Sequence, residues 1–509
     1  MRNRAILVVL LVVIASSIML PQGKCSGAQA SSAVPKKDKV QQPSIIEKQK
    51  QSSQQTVPIK LPEGVFSVPC IVACPTDSSV IVSVIPSQEV FAFIEYWPED
   101  TEVRYSTPLT RLDADIPAEI LIEGLKKAQR YNYAVKYKLS NAGDTSAFTL
   151  ACEGSFITQR DEGSTFVFGV QGDSHPERTQ QFSEQLYWQT MLNVKECEPD
   201  FYFTIGDDFS IEKLGTISRQ GIESLYLYQR QYLGIIGGNS PLFIVNGNHE
   251  HNARYLLDGT TNNPAVWGQN ARNSYFPQPE PGKFYSGDAE IVDNIGYLKD
   301  YFSFTWGDAL FVVIDYYWHS EVPVDTSLTG ENKGEDPWMK TLGDEQYSWL
   351  KKTLEESSSK YKFVFTHHVM GNGRGGIELV DLYEWGGYGK SGKWEFAQKR
   401  PSWEMPVHQL MADTGVTIFF QGHDHVFVRQ ELDGVTYQTL PLPADPNATL
   451  YFEDKYEADV KLPGPGHVRV TVSPNSVKVD YIVTAIDSDY KSRTNNTVIY
   501  SYTLPTDIR

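Results

Sequence analysis

The sequence predicts an all-β domain followed by a layered α/β domain. After Thr165, apolar strand-like runs alternate with helical stretches, which is the pattern of a layered α/β domain. Before Arg160, short alternating strands separated by turn residues fit a β-sandwich instead. The chain has 509 residues, of which 40% are hydrophobic and 12% aromatic. It is therefore long enough for two or three domains with a large core.

The first 57 residues carry targeting and linker features. A basic start precedes an apolar run and an Ala-Gln-Ala motif, so residues 1–30 are predicted to be an export signal peptide. The alternatives are a retained membrane anchor or a lipid on Cys25. Residues 31–57, rich in Ser, Gln and Lys, predict a flexible linker. We expect a secreted or periplasmic protein whose mature chain has no membrane span, because no later run approaches the roughly 20 apolar residues required.

The net charge indicates which substrates the protein can bind, and the cysteine content indicates which disulfide bonds it can form. The formal net charge is −18. A surface this acidic repels polyanions, so a small phosphorylated substrate is more compatible with it than a long nucleic acid. After removal of the signal, four cysteines remain in an oxidising compartment, and the sequence leaves their three possible pairings open. They are Cys70, Cys74, Cys152 and Cys197.

The predicted β-sandwich spans residues 58–160. Its strands are expected at 80–85, 91–96, 119–122, 131–137 and 154–158. The short turn and the tyrosine-bearing strand over 121–135 resemble the fibronectin type III pattern. No catalytic constellation is visible in this region. A spacer that packs on its neighbour is therefore favoured over a carbohydrate- or protein-binding domain.

The predicted α/β domain spans residues 161–509. Its main strands are expected at 165–170, 201–205, 242–245, 301–306, 310–314, 362–366 and 416–420. Helices are expected over 177–194, through 226–230 and over 345–354. The segment 251–300 is predicted to be a long irregular loop that forms a lid or rim over the site. Residues 466–472 and 477–483 are predicted to pair as a hairpin.

Metal-capable side chains follow five of these strands. They are Asp173 with His175, Asp207, Asn248 with His249, His367 with His368, and His423 with His425. Each group alone has an ordinary explanation, such as a turn or a surface histidine. However, ligands bind open α/β sheets at the carboxyl ends of the strands, and six of the ten histidines follow such strands. Together they indicate one site, whose imidazole and carboxylate ligands suit Zn, Mn or Fe rather than a structural zinc held by thiolates.

The same residues form five ordered motifs. These are Gly-Asp-x-His at 172–175, Gly-Asp at 206–207, Gly-Asn-His-Glu at 247–250, His367, and Gly-His-x-His at 422–425. Together they resemble the calcineurin-like metallophosphoesterase family over residues 165–440. The resemblance implies two packed β-sheets flanked by helices. The preceding all-β domain is similar to the arrangement in purple acid phosphatases.

The resemblance also implies a cofactor and residue roles. Two divalent or trivalent transition metal ions, Fe, Mn, Zn or similar, would be bound. One would be held by Asp173, His175, Asp207 and His425, and the other by Asp207, Asn248, His367 and His423. Asp207 would be the catalytic bridge between the ions, and His249 would steady the phosphate or protonate the leaving alkoxide. Such a pair clamps a phosphoryl group and activates water for attack on it.

Three positions depart from the family pattern or extend it. Ser210 stands where purple acid phosphatases have their iron-binding tyrosine, and His175 supplies a nitrogen ligand instead, so a colourless enzyme is expected. His368 is expected to support the metal ligands or bind substrate, as Asn248 and His249 would. Arg374 is predicted to contact a phosphate oxygen.

The sequence thus predicts an exported two-metal hydrolase that cleaves phosphate esters. Two alternatives remain. One is a nucleotidase or phosphodiesterase acting on nucleotides, and the other is a non-catalytic exported binding protein with the same fold. The choice between monoesters and diesters, and the oligomeric state, stay open.

Overall fold

The computed structural model describes residues 64–143, 145–328, 336–369, 373–486 and 493–505. The predicted signal peptide over 1–30 and linker over 31–57 lie outside these ranges. Within them, none of the helices combines the length and the hydrophobicity that a membrane span requires.

The N-terminal part consists of two antiparallel sheets. Its strands are β1 (Ile71–Ala73), β2 (Ser79–Val84), β3 (Val90–Pro98), β4 (Tyr105–Ser106), β5 (Thr110–Leu112), β6 (Ala118–Glu123), β7 (Arg130–Leu139) and β8 (Thr149–Ile157). One sheet has the order β1-β2-β6, and the other has the order β4-β3-β7-β8, with β5 also paired to β3. Alternate residues of β3, namely Val90, Ala92 and Ile94, are buried in the core between the sheets. The predicted sandwich is confirmed, whereas its fibronectin type III character and its boundary at residue 160 stay predictions.

One disulfide joins the two sheets of this sandwich. Cys70, directly before β1, is bonded to Cys152 in β8, and the two residues are 82 positions apart in the sequence. Cys74 is a buried free thiol, and Cys197 is a half-buried one. The bond belongs to one of the three pairings that the sequence allowed, the one that joins Cys70 to Cys152 and Cys74 to Cys197. The second bond of that pairing is not formed.

The remaining strands and helices follow in chain order. The strands are β9 (Phe166–Gln171), β10 (Phe201–Ile205), β11 (Leu242–Val245), β12 (Ser286–Gly287), β13 (Ile291–Val292), β14 (Gly296–Tyr297), β15 (Phe302–Trp306), β16 (Ala309–Val313), β17 (Tyr361–Phe365), β18 (Ile418–Gln421), β19 (Val426–Leu432), β20 (Val435–Thr439), β21 (Lys461–Pro463), β22 (Gly466–Ser473), β23 (Ser476–Val483) and β24 (Thr497–Pro505). The α-helices are α1 (Glu184–Glu196), α2 (Arg219–Gly237), α3 (Pro264–Tyr275), α4 (Asp344–Glu356), α5 (Tyr383–Gly386), α6 (Phe396–Lys399) and α7 (Val407–Thr414).

Two large mixed sheets face each other in this second part. One has the order β11-β10-β9-β22-β23-β24, and the other has the order β12-β15-β16-β17-β18-β20-β19-β21. Aromatic side chains fill the space between them, and the rings of Phe203 in β10 and Phe365 in β17 stack with centroids 4.2 Å apart. The two packed sheets are therefore confirmed, as is the hairpin predicted at 466–472 and 477–483, which is β22 and β23.

Helices cover the outer faces of both sheets. Helices α1, α2 and α3 pack on the six-stranded sheet, where Met191, Leu233 and Ile244 share one apolar cluster. Helices α4 and α7 pack on the eight-stranded sheet, where Leu350 and Leu410 belong to another cluster. The layered arrangement follows because each helix buries one apolar stripe against a sheet.

Two local predictions were wrong. The segment 251–300 is not wholly irregular, because it contains α3. Its Asn263 caps the helix by accepting a hydrogen bond from Ala265 N, and Pro264 occupies the first turn, where a missing N–H costs nothing. The helix predicted from residue 177 begins only at Glu184, because Ser183 is its N-cap and the preceding residues form a loop.

The β-sandwich is attached to helix α2 by buried polar contacts. The guanidinium of Arg230 donates to the carbonyl oxygens of Pro69 at 3.0 Å and Ser83 at 2.8 Å. The Tyr133 hydroxyl donates to Gly238 O at 2.9 Å, just past the end of the same helix. These hydrogen bonds hold the sandwich against the helix that lies behind β10 and β11, which agrees with a packing role.

Removal of the disulfide should destabilise the protein. We expect Cys70→Ala with Cys152→Ala to lower the free energy of unfolding by about 2–5 kcal/mol, because the bond restrains a long loop of the unfolded chain. Urea denaturation of the oxidised protein measures the effect. The Cys197→Ala variant, which keeps the disulfide, should unfold close to the wild-type midpoint. Equal midpoints for the double variant and the wild type would contradict this prediction.

Candidate metal centre

The predicted site residues follow strands from both large sheets. Asp173, Asp207 and Asn248 come after the parallel neighbours β9, β10 and β11 of one sheet. His367 and His423 come after the parallel neighbours β17 and β18 of the other. Because parallel strands end at the same edge, the two sheets bring these loops together at one end of the molecule.

The loops reach their positions through unusual backbone conformations. His175, Asp207, His423 and His425 have φ angles of 44°, 55°, 66° and 58°, in the left-handed region that residues with side chains rarely adopt. Such conformations cost energy and cluster at functional sites, where the surrounding structure enforces them.

Two motif glycines are required by close approach. A Cβ atom at Gly206 would lie 2.6 Å from Gly247 N, so only glycine lets the loops after β10 and β11 touch. A Cβ atom at Gly422 would lie 2.4 Å from Asp173 Oδ1. These contacts give a physical reason for the glycine in the Gly-Asp and Gly-His-x-His motifs.

The first group of metal-capable atoms surrounds Asp173. Its Oδ2 lies 3.0 Å from His425 Nε2 and 3.7 Å from His175 Nε2. His175 Nε2 also lies 3.6 Å from Asp207 Oδ2. All four side chains are buried, and atoms of Asp173, His175 and His425 lie close enough to bind one ion.

The second group shares Asp207 with the first. Asp207 Oδ2 lies 2.9 Å from His367 Nε2, which is 3.2 Å from His423 Nδ1. Asn248 donates through Nδ2 to Thr326 Oγ1 at 2.6 Å, which leaves its amide oxygen buried without a hydrogen-bond partner. Asp207 Oδ2 therefore faces ligands of both groups.

Two of the imidazoles, His175 and His367, are held through the ring nitrogen that does not face Asp173 or Asp207. His367 Nδ1 donates to Ile205 O at 2.8 Å, and His175 Nδ1 lies 3.1 Å from Glu177 Oε1. Such contacts fix the tautomer and the orientation of metal-binding histidines. The Ser210 hydroxyl lies 3.3 Å from the same His175 nitrogen.

The donor set fits two transition metal ions. Asp173 Oδ2, His175 Nε2 and Asn248 Oδ1 are buried without a hydrogen bond among the described residues, which is unusual for polar atoms in a folded protein. Burial opposes ionisation of Asp173 and Asp207, but His367 and other imidazoles hold the pKa of both carboxyls well below the usual range. Burial lowers the pKa of His425 to about 4. Asp173 and Asp207 are thus charged and His425 is neutral. Although burial opposes it, these two carboxylates raise the pKa of His367 to about 10, so metal binding at His367 must release a proton.

Glu250 organises the backbone beneath these ligands. Its carboxylate accepts hydrogen bonds from the backbone N–H groups of Asp207 at 3.1 Å, Asp208 at 2.9 Å and Gly247 at 2.7 Å. It therefore ties the Asp207 loop to the Asn248 loop. The glutamate of the Gly-Asn-His-Glu motif acts on the backbone rather than on the metal-capable atoms.

His249 lies beside Asp207 with both ring nitrogens engaged. Its Nδ1 is 2.8 Å from Glu212 Oε1, and its Nε2 is 2.8 Å from an Arg178 guanidinium nitrogen. Because the carboxylate accepts and the guanidinium donates, the proton of His249 resides on Nδ1. His251 contacts the other Glu212 oxygen at 3.0 Å.

The two remaining predicted residues lie at the edge of the second group. His368 stacks on His423 with ring centroids 4.2 Å apart, and its Nδ1 is 2.9 Å from the Tyr317 hydroxyl. Arg374 donates to Asp424 Oδ1 at 2.9 Å, and its guanidinium lies 3.7 Å from the Phe452 ring centroid. Their substrate roles stay predictions.

Sequence reasoning missed three charged residues at the site. Glu212 and Arg178 flank His249, and Asp325 lies 3.2 Å from His368 Nε2 and 3.3 Å from His423 Nε2. Glu212 could have been noticed, because it is an acidic residue five positions after Asp207. Asp325 follows no strand, so the sequence offered no comparable signal for it.

Comparisons with known proteins agree with this architecture. The family model described as calcineurin-like phosphoesterase matches residues 166–427. The solved structure of PhoD has a TM-score of 0.63 at 15% identity, with 88% of this chain and 92% of that chain covered. A purple acid phosphatase, PPD1 from yellow lupin (Lupinus luteus) seeds, has a TM-score of 0.56 at 16% identity, with 87% of this chain and 75% of that chain covered.

A search of curated proteins by sequence found no match. At the identities of the two solved structures, their similarity shows the fold alone. The family match is stronger evidence, because it spans more than half of the chain and includes every strand that carries a metal-capable loop. The chain therefore belongs to the calcineurin-like phosphoesterase family.

Proposed function

We propose that this protein is an exported two-metal hydrolase that cleaves phosphate esters of small molecules. The observation that carries the proposal is the position of Asp207 Oδ2, which lies 3.6 Å from His175 Nε2 and 2.9 Å from His367 Nε2. One carboxylate oxygen thus serves two groups of ligands. This is the arrangement that a bridged pair of cations needs.

The ligand assignment follows the two groups. One ion would be held by Asp173, His175, Asp207 and His425, and the other by Asp207, Asn248, His367 and His423. Two such cations, when bound, lower the pKa of water and clamp the oxygens of a phosphoryl group. The ions themselves belong to the class of Fe, Mn, Zn or similar, because the donors are imidazole, carboxylate and amide.

His249 acts on the ester oxygen in this proposal. Although burial opposes ionisation, hydrogen bonds from His249 and His251 lower the pKa of Glu212, so a carboxylate orients the His249 ring. Its Nε2 points toward Asp207 Oδ2 at 3.7 Å. From there it steadies the phosphate or, once Nε2 has taken up a proton, delivers that proton to the leaving alkoxide.

Export and domain organisation complete the proposal. Residues 1–30 would direct secretion, and residues 31–57 would link this signal to the folded protein. A sandwich over 58–160 would support a catalytic domain over 161–509. The Cys70–Cys152 disulfide supports an oxidising compartment. N-terminal sequencing of the protein from the culture medium or periplasm checks the cleavage, and an intact Met1 would contradict it.

A nucleotide substrate is the second candidate. The rings of Tyr451 and Phe452 lie 5.7 and 6.2 Å from the His425 ring, so aromatic side chains border the first metal group, although Arg374 covers one face of Phe452. Such rings can stack on a nucleobase. Comparison of nucleoside monophosphates with sugar phosphates as substrates decides between the two candidates.

Loss of the bridging carboxylate should abolish hydrolysis. We expect Asp207→Asn to lower kcat/KM for p-nitrophenyl phosphate by more than about 100-fold, since even loss of a residue that only supports a metal ligand costs up to that much. Metal analysis should find fewer than two ions per chain. Release of p-nitrophenol measures the activity.

The matched control for this variant is Asp413→Asn on the exposed surface of α7. It should retain wild-type activity and metal content. Undiminished activity in Asp207→Asn would overturn the assignment. If the metal-loaded wild type hydrolysed neither a monoester nor a diester, the non-catalytic binding protein would be favoured.

Replacement of His249 should affect poor leaving groups most. We expect His249→Ala to reduce kcat for an alkyl phosphate by roughly 100- to 10,000-fold, the usual contribution of proton transfer, and to reduce it less for p-nitrophenyl phosphate, whose leaving group needs no proton. The dependence of kcat on leaving-group pKa is the measurement. Glu212→Gln should show the same trend more weakly.

His408 supplies a control, because it contacts Tyr437 and Asp433 rather than the site. His408→Asn should leave the leaving-group dependence unchanged. Equal losses on good and poor leaving groups in His249→Ala would assign His249 to phosphate binding instead of proton transfer.

A further inference from the structure

Arg178 brings a positive charge to the rim of the metal centre. One of its terminal nitrogens lies 2.8 Å from His249 Nε2, which in turn lies 3.7 Å from Asp207 Oδ2. The Arg178 side chain is 24% exposed. Its guanidinium is thus two contacts from the shared carboxylate and is also reachable from solvent.

The charge of Arg178 is only loosely compensated. Its nearest carboxylate contact is Glu177 Oε1, 3.6 Å from Nε. That oxygen already accepts a hydrogen bond from Ser210 Oγ at 2.5 Å and lies 3.1 Å from His175 Nδ1. Within the described part of the chain, no carboxylate forms a hydrogen bond with the guanidinium, so the N–H groups that do not contact His249 are available to an anionic ligand.

Arg374, the arginine that the sequence singled out, is in a different situation. Its guanidinium donates to Asp424 at 2.9 Å and packs on the face of Phe452. A guanidinium paired and covered in this way has less to gain from a phosphate than one whose donors face the site. Arg178 is therefore the better placed of the two to bind substrate.

We propose that Arg178 binds a terminal oxygen of the substrate phosphate and thereby makes the site favour phosphate monoesters over diesters. This inference rests on the proposed phosphoesterase function. A monoester carries up to two negative charges and three terminal oxygens, whereas a diester carries one charge and two such oxygens. An additional cation next to the metal groups therefore stabilises the bound monoester more than the bound diester.

The acidic surroundings strengthen the argument. Glu177 and Glu212 lie beside the site, and the formal net charge of the whole chain is −18. These carboxylates repel a dianionic substrate at the rim, and the Arg178 guanidinium offsets that repulsion in addition to the metal ions. When Arg178 turns its N–H toward a phosphate oxygen, it also releases His249 Nε2 to contact the leaving oxygen.

The test compares two esters in two variants. We expect Arg178→Gln to lower kcat/KM for p-nitrophenyl phosphate by about 10- to 100-fold, the value of a hydrogen bond to a charged group, and kcat/KM for bis(p-nitrophenyl) phosphate by less than about threefold. Arg178→Lys should retain part of the monoester rate, because lysine keeps the positive charge but lacks the paired N–H donors of the guanidinium. Arg429→Lys, with a side chain 28% exposed and stacked on Tyr502, is the control and should change neither rate.

Binding gives a readout that needs no turnover. Titration calorimetry of the metal-loaded protein should show that Arg178→Gln binds inorganic phosphate at least about tenfold more weakly, while metal content and affinity for dimethyl phosphate stay unchanged. Equal losses on both esters, or no loss of phosphate affinity, would overturn the role of Arg178 but not the phosphoesterase function. If the wild type hydrolysed neither ester, the function would fail, and phosphate affinity would still decide for or against Arg178.

Discussion

The structure depends on the burial of two carboxylates, Asp173 and Asp207, where the loops of two sheets meet. Both side chains are almost completely removed from solvent. A buried charge without compensation costs several kcal/mol, so the surrounding groups must supply positive charge or hydrogen bonds. The imidazoles supply part of it, and backbone N–H groups supply more, since His249 N and His423 N donate to Asp207 and Asp173 at 2.9 Å. These same contacts pull the loops after four strands toward one point.

The rigid part of the molecule makes this convergence possible. The loops start from strands whose aromatic side chains interlock between the sheets, with Phe203 and Phe365 in direct stacking contact. Phe203 lies two positions before the end of β10, and Phe365 is the last residue of β17, so the packing fixes where Asp207 and His367 emerge. Left-handed backbone at Asp207 and at other ligand positions then aims the side chains. The strained backbone persists because the sheet core fixes where each loop starts and the contacts to the carboxylates fix where it leads.

Much of this could be predicted because the signals are local. An apolar run followed by Gly-Asp or by a histidine pair shows where a strand ends and which atoms follow it. Strand β10 ended at the predicted residue, and β17 ended one residue earlier than predicted, at Phe365. Arg178, Glu212 and Asp325 were not predicted, because their contacts depend on how loops distant in sequence fold over one another. Asp325 is an example: its backbone has a φ angle of 60°, and no strand or turn pattern in the sequence predicted that conformation. Helix α3 was missed for another reason: the Asn263-Pro264 capping signal was present but was read as loop composition.

A second layer of acidic groups lies beneath the ligands and couples the site to the fold. Burial raises the pKa of Asp208 to about 7, and Thr204 donates to this side chain at 2.6 Å. The side chain of Glu250, buried next to Asp207 and Asp208, accepts hydrogen bonds from three backbone N–H groups. Burial also raises the pKa of Glu250, so cations bound above this layer would offset the negative charge of Asp173 and Asp207 and would favour ionisation of Asp208 and Glu250. Because such cations would bind the folded chain far better than the unfolded one, metal affinity and stability of the loop end should rise together.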